Sequence, residues 1–270
     1  MSIYLPFRED NFLEHVDDVI KKWGQCTAPL FIEQISKSGK VTGAADLIGS
    51  SFFAVRRGIY FLVTAAHVFE DQDPKRQFGV NINGKGALLN GMPFVRCFVD
   101  DIAIAPLHEA WFIKSGIDRL KAVPLDDLES QYSPIGLWVT VGYPGSKNGL
   151  NPRLNQTQIV THGTSFTDRI EKPTAKSHIA NPIGFRFDKK RVIDTKMKSA
   201  NPPSFSGTSG GPVFEVLADV NFDGSFRWKC RLEGVFIGWH KQEKEALAAR
   251  VQPLKDLMDR VIGHMNKKAP

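Results

Sequence analysis

A serine set among glycines is the part of this chain best suited to chemistry. Ser206-Gly207-Thr208-Ser209-Gly210-Gly211-Pro212 places Ser209 just ahead of an apolar stretch opening with Val213-Phe214. A serine hydroxyl attacks a carbonyl near neutral pH only when a base takes its proton. The oxyanion then needs backbone N–H donors, and glycines let the main chain come close without a Cβ in the way. A histidine and a carboxylate stand upstream in settings that suit the other two roles. Ile59-Tyr60-Phe61-Leu62-Val63 reads as a buried strand running into Thr64-Ala65-Ala66-His67, so His67 falls at the strand end. Phe98-Val99-Asp100-Asp101-Ile102-Ala103-Ile104 carries two acids at the head of another apolar strand, where a carboxylate must be paired or hydrogen-bonded. The chain order is His67, Asp101, Ser209.

Positioning such groups requires strands around them. Ala28 to Ile32, Ser51 to Val55 and Ile59 to Val63 read as strands, the last two joined by a turn at Arg57-Gly58. Trp138 to Gly145 opens a second set. Thr161 to Pro203 is polar and rich in Lys, Pro and Asn, which predicts long loops. A hairpin is predicted around Asp223-Gly224, followed by the strand Gly234 to Trp239. Asn11 with Glu14 resembles a helix start, with Leu13, Val16, Ile20 and Trp23 at helical spacing and Gly24 as a stop. Leu254, Leu257, Met258, Val261 and Met265 form one face of a C-terminal helix.

Gly207-Thr208-Ser209-Gly210-Gly211 also satisfies G-x-S-x-G, the nucleophile elbow of α/β-hydrolases. That fold needs a helix directly after the serine and an acid and histidine later in the chain. Here Pro212 and a strand follow, and His240 and His264 leave no room for the missing strands. The elbow does not fit.

Taken together, Thr64-Ala65-Ala66-His67, Asp101-Ile102-Ala103-Ile104 and Gly207-Thr208-Ser209-Gly210-Gly211-Pro212 resemble the three signature blocks of the chymotrypsin/trypsin-like serine peptidases, in the same order. The resemblance implies a mainly β fold of two six-stranded antiparallel barrels, here with an N-terminal and a C-terminal helix. It implies a helical lead-in over 1–24, a first barrel over 25–125, a second over 126–252 and a helix over 253–270. Ser209 would be the nucleophile, His67 the general base and acid, and Asp101 the group orienting His67; Asp100 is the neighbouring alternative. The oxyanion hole would be the N–H groups of Gly207 and Ser209. Relatives that cut after Lys or Arg carry an aspartate six residues before the nucleophile, where this chain has Pro203. With Ile237, Gly238 and Trp239 as the pocket wall, cleavage after small or medium apolar residues is expected, unless Asp188 or Asp194 enters the pocket. Zymogen-type members have an acid before the nucleophile. Thr208 and the polar N-terminus instead resemble the bacterial, intracellular-type branch, active without N-terminal trimming, as does Gly142-Tyr143-Pro144-Gly145. The residues after the catalytic unit are too few for the PDZ-like domain of HtrA-type relatives.

Composition narrows the remaining classes. The 270 residues, 42% hydrophobic, can bury a sizeable core. The net charge of +6 is scattered rather than clustered, so no nucleic-acid partner is expected, and a polypeptide substrate is the implied partner. No C-x-x-C or H-x-x-x-H spacing occurs, so no metal or cofactor is implied. The three cysteines, Cys26, Cys97 and Cys230, do not bracket the histidine or serine blocks, and the first twenty residues lack an apolar core. Both features predict a cytoplasmic protein without disulfides, and no apolar run predicts a membrane span. Besides a serine endopeptidase, the alternative is a binding module that keeps the fold but is silent or self-cleaving.

Overall fold

The computed structural model describes residues 9–36, 38, 40–70, 76–117, 120–126, 133–151, 156–192, 202–220 and 226–268. Helix α1 (Glu9–Gly24) leads into strands β1 (Thr27–Ile35), β2 (Val41–Arg56), β3 (Ile59–Ala65), β4 (Phe78–Ile82), β5 (Lys85–Leu88), β6 (Val95–Cys97) and β7 (Ile102–Pro106). Helix α2 (Glu109–Ser115) and β8 (Val123–Pro124) follow. The second half comprises β9 (Ser133–Gly142), β10 (Gly149–Asn151), β11 (Gln156–Gln158), β12 (His162–Phe166), β13 (Arg169–Ile170) and β14 (Ile183–Arg186). It continues through β15 (Pro212–Val220), β16 (Phe226–His240), β17 (Glu245–Arg250) and helix α3 (Val251–Lys268).

Apart from β10 and β11, which pair only with each other, these strands form two barrel-like sheets. The first runs β5-β4-β1-β2-β3-β7-β6 with β8 beside β2; the second runs β12-β9-β15-β16-β17-β14-β13. In each, six strands have four residues or more, and short edge strands bring the totals to eight and seven. Pairing is antiparallel apart from the brief β2–β8 contact. The chain thus has the expected all-β, two-barrel class with a helix at each end.

The sequence writes this architecture as unbroken apolar runs, because the central strands are buried on both faces. In β3, Phe61 and Val63 belong to a core shared by the two sheets, while Leu62 and Ala65 belong to the interior of the first. In β15, Phe214 and Val216 join the shared core, and Val213 joins the interior of the second sheet. Trp23 of α1 stacks on Phe214 at 4.8 Å, and Leu254, Leu257 and Met258 of α3 close the other side. Each fully buried phenylalanine here contributes about 1.5–3 kcal/mol by leaving water. Buried Arg56 of β2 clamps α3 through Asp259, with Nε to Oδ1 at 3.0 Å and Nη2 to Oδ2 at 2.8 Å.

Three local expectations need correction or extension. Helix α1 begins at Glu9, ahead of Asn11, and buries Val19 beside Trp23. Between Thr161 and Pro203 the chain forms β12, β13 and β14 as well as loops. These are short strands, and the half-exposed His162-Gly163-Thr164-Ser165 of β12 lacks the apolar alternation that marks a strand. The 109–115 helix α2 was not apparent from the sequence pattern. Asp223-Gly224 lies outside the described residues.

Candidate active site

Strand register brings His67 and Asp101 together. Ala65 at the end of β3 pairs with Ile102 at the start of β7, so the residues just beyond, His67 and Asp101, emerge side by side. His67 sits in a single 3₁₀ turn, Ala66–Phe69. Asp101, only 1% exposed, grips that turn through every acceptor it has. Its carbonyl takes the Ala66 N–H at 3.1 Å, Oδ1 takes the His67 N–H at 2.8 Å, and Oδ2 takes His67 Nδ1 at 2.6 Å. Donation from Nδ1 leaves Nε2 as the acceptor a general base needs. Asp101 holds this pose at φ 52°, a left-handed backbone that Asp adopts more readily than most residues. Asp100 is directed elsewhere: its Oδ2 accepts from Cys97 Sγ at 3.1 Å. Burial, and then Asp100 itself, push the Cys97 thiol up.

The Ser209 loop is held by its main chain. Gly207 and Gly210 adopt φ of 86° and 90°, and each lies against backbone. A Cβ on Gly210 would sit 2.2 Å from both Ser50 O and Thr64 Oγ1; one on Gly207 would sit 2.8 Å from Tyr143 O. Thr208, Gly210 and Gly211 spend their N–H groups on Phe205, Phe236 and Thr208 carbonyls at 2.9, 2.7 and 3.0 Å. Among the described residues the N–H groups of Gly207 and Ser209 donate to no protein acceptor. The two donors expected at an oxyanion hole are therefore the two left open. The Ser209 hydroxyl donates to Ile237 O at 2.7 Å, and among the described residues no hydrogen bond joins it to His67.

Ser50 of β2 joins the two sheets beneath this loop, and sequence reading did not single it out. Fully buried, it donates from Oγ to Gly207 O at 2.7 Å and accepts there from Tyr143 N at 2.9 Å. Its own N–H donates to Ser209 O at 2.8 Å, and its carbonyl accepts from Thr64 Oγ1 at 2.7 Å. Gly145 N donates to Ser206 O at 2.7 Å, which makes Gly142-Tyr143-Pro144-Gly145 a cradle for the loop. The available signal was the polar pair Ser50-Ser51 directly ahead of the apolar run Phe52-Phe53-Ala54-Val55.

A second histidine was also missed. His178 Nε2 lies 3.4 Å from Asp101 Oδ2. It comes from the loop between β13 and β14, whose Lys- and Pro-rich sequence carries no motif. Buried Glu245 anchors that loop by accepting from Thr174 N, Thr174 Oγ1 and Ala175 N, each at 2.9 Å. Ile179 is buried in the shared core, and Ala180 N donates to Val99 O at 3.2 Å.

The pocket residues divide. From the Ser209 loop it is Phe205 that meets the wall strand, stacked on Phe236 at 5.1 Å and 6.0 Å from Trp239. Pro203 is half-buried beside Ser204, whose N–H donates to Ser146 Oγ at 3.2 Å. Ile237 is buried and offers its carbonyl to Ser209. Gly238 is open, with no atom within 4 Å of a Cβ placed there. Trp239 packs edge-on to Phe187 at 6.2 Å under the Lys189 ammonium, 5.1 Å from its ring. Asp188 is engaged by Lys244 Nζ at 2.8 Å, and Asp194 lies outside the described residues.

No protein-family model matches the chain, and no curated protein matches it. Among solved structures, one similar chain comes from a study described as "Aromatic interactions drive the coupled folding and binding of the intrinsically disordered Sesbania mosaic virus VPg protein". It is 16% identical at a TM-score of 0.43, covering 84% of this chain and 93% of that one. A likeness of that size bears on neither the fold nor the activity. Cys26, Cys97 and Cys230 are free thiols, and burial raises Cys26 to about 11. Among the described residues no helix is long and apolar enough to cross a membrane.

Proposed function

We propose that this chain is a hydrolase acting by nucleophilic acyl transfer, and within that class a serine endopeptidase of the chymotrypsin/trypsin-like kind. The observation that carries the reading is the 2.6 Å contact from His67 Nδ1 to buried Asp101, built on the strand end against which the Ser209 loop packs. In this scheme Ser209 Oγ attacks the scissile carbonyl carbon while its proton passes to His67 Nε2. Asp101 keeps Nδ1 protonated and stabilises the imidazolium that forms. The carbonyl oxygen, now an oxyanion, takes hydrogen bonds from Gly207 N–H and Ser209 N–H. Collapse breaks the C–N bond, and His67 returns its proton to the leaving amine. Water then attacks the acyl-enzyme, losing a proton to His67, and releases the acid and Ser209. The scheme requires the Ser209 hydroxyl to leave Ile237 O for His67 Nε2, and rotation about χ1 between staggered wells is the side-chain motion that would do so.

Trp239, Phe205 and Phe187 form an aromatic wall that carries no free acid, with the Lys189 ammonium over Trp239 and Asp188 tied to Lys244. A Lys or Arg side chain would lose its hydration there without a counter-charge. The substrate class that fits is a polypeptide with a small or medium apolar residue before the cut.

The Ser209–Ile237 hydrogen bond favours a second reading, a binding module whose serine is not engaged. Fluorophosphonate labelling of the intact chain separates the two. Stoichiometric labelling that disappears in Ser209→Ala and His67→Ala, with peptide-library cleavage after apolar residues, is the expected result. Labelling that persists in Ser209→Ala overturns the assignment, and dominant cleavage after Lys or Arg overturns the pocket.

A further inference from the structure

We infer that His178 is a positioning residue that moderates the hold of Asp101 on His67 and so sets the acid limit of activity; this rests on the peptidase reading above. Asp101 Oδ2 is shared: His67 Nδ1 contacts it at 2.6 Å and His178 Nε2 at 3.4 Å. Among the described residues these are the two ion-pairing partners of Asp101. Neither partner belongs to β16, which at Ile237 offers its carbonyl to Ser209. His178 arrives instead from the opposite sheet, on a loop fixed by Glu245, Ile179 and the Ala180–Val99 hydrogen bond. Its ring is half-exposed, so its presence beside a buried carboxylate follows from the loop and not from a need to fill the core.

With a protonated His178 ring 3.4 Å from Asp101 Oδ2, part of the carboxylate charge is offset and a cation on His67 is repelled. Removing His178 therefore leaves the full carboxylate charge to His67, which keeps its proton to higher pH. Other titratable or charged groups on the elements that meet here are Glu70, Arg96, Cys97, Asp100, Glu171, Lys172, Lys176, Glu245 and Arg250, of which Glu171 pairs with Arg169 and Arg250. Cys97 is spent on Asp100, and Glu245 on Thr174 and Ala175.

The test uses His178→Ala and His178→Gln in the full chain, the glutamine retaining an uncharged N–H donor. In the active protein, the acid limb of kcat/KM against pH moves upward by about half a unit in His178→Ala. It lies between that and the parent in His178→Gln, while kcat on the alkaline plateau changes by less than about threefold. The same pair placed in a Ser209→Ala background is followed by histidine ring NMR titration, where hydrolysis plays no part. A His67 midpoint that moves up in His178→Ala and partway in His178→Gln supports the inference. A midpoint that stays or moves down overturns it, as does a rate lost equally at all pH values. Absence of any Ser209-dependent hydrolysis in the parent overturns the peptidase reading instead, and the NMR titration still decides the role of His178.

Discussion

The two halves of the site are assembled by different means. On the first-sheet side, His67 and Asp101 meet through side chains, Nδ1 to Oδ2, with the carboxylate also gripping the backbone of the His67 turn. On the second-sheet side, placement is by main chain: Gly207 and Gly210 at positive φ press against Tyr143 O, Ser50 O and Thr64 Oγ1. An acid–base pair can be set by strand register and one good hydrogen bond, and its neighbours are free to vary in kind. A nucleophile flanked by open N–H donors needs backbone against backbone, which excludes side chains at defined positions. Hence one half is written in titratable residues and the other in glycines.

The sharpest way to break this contrast is to damage the acid while sparing its shape. Asp101→Asn is expected to lower kcat by about 10⁴, since an amide facing His67 Nδ1 favours the wrong tautomer. Asp100→Asn, whose side chain meets Cys97 instead, is expected to cost no more than about threefold. Steady-state kinetics on both variants decide it; comparable losses would mean that the two acids had been assigned the wrong way round.

Steric damage to the other half comes next in size. Gly210→Ala places a methyl 2.2 Å from two oxygens at a left-handed position, and a stability loss of about 3 kcal/mol or more is expected in urea unfolding. Gly238→Ala serves as the control, because its Cβ enters open space; stability within about 0.5 kcal/mol of the parent is expected. Equal effects at the two glycines would refute the claim that main-chain approach builds the nucleophile loop.

The smallest effect sharpens how the halves are joined. Ser50→Ala removes the Oγ that bonds Gly207 O and Tyr143 N and leaves a buried N–H unpaired, which costs about 1–3 kcal/mol. Turnover should fall with it, yet the low-field NMR signal of the His67–Asp101 hydrogen bond should persist. Loss of that signal would show that Ser50 supports both halves and that the division between them is artificial.

How much of this was legible in the chain follows from the range of each interaction. His67, Asp101 and Ser209 each announce themselves because a polar residue at the end of an apolar run needs a reason. The Gly-rich loop does so because few other sequences reach positive φ cheaply. Both helices at the ends show their 3.6-residue periodicity, and Leu254, Leu257 and Met258 are buried as that pattern implies. Of the strands between Thr161 and Pro203, β12 and β13 were not legible because nearly all their residues are half-exposed and show little alternation, and buried β14 because it is only four residues long.

Sequence alone determined the apolar runs, the polar residues at their ends and the glycines that free the backbone, since these are local properties of one to ten residues. Tertiary structure decided what no local pattern encodes. It chose Asp101 over Asp100 for His67 through the β3–β7 register. It gave Ser50 four partners from both sheets and made Phe205, stacked on Phe236, the loop residue that meets the wall strand. It also carried His178 across to Asp101, 77 positions away in the chain, on a loop anchored by Glu245. Such contacts depend on which surfaces the shared core presses together, and burial of apolar area makes that choice without regard to separation along the chain.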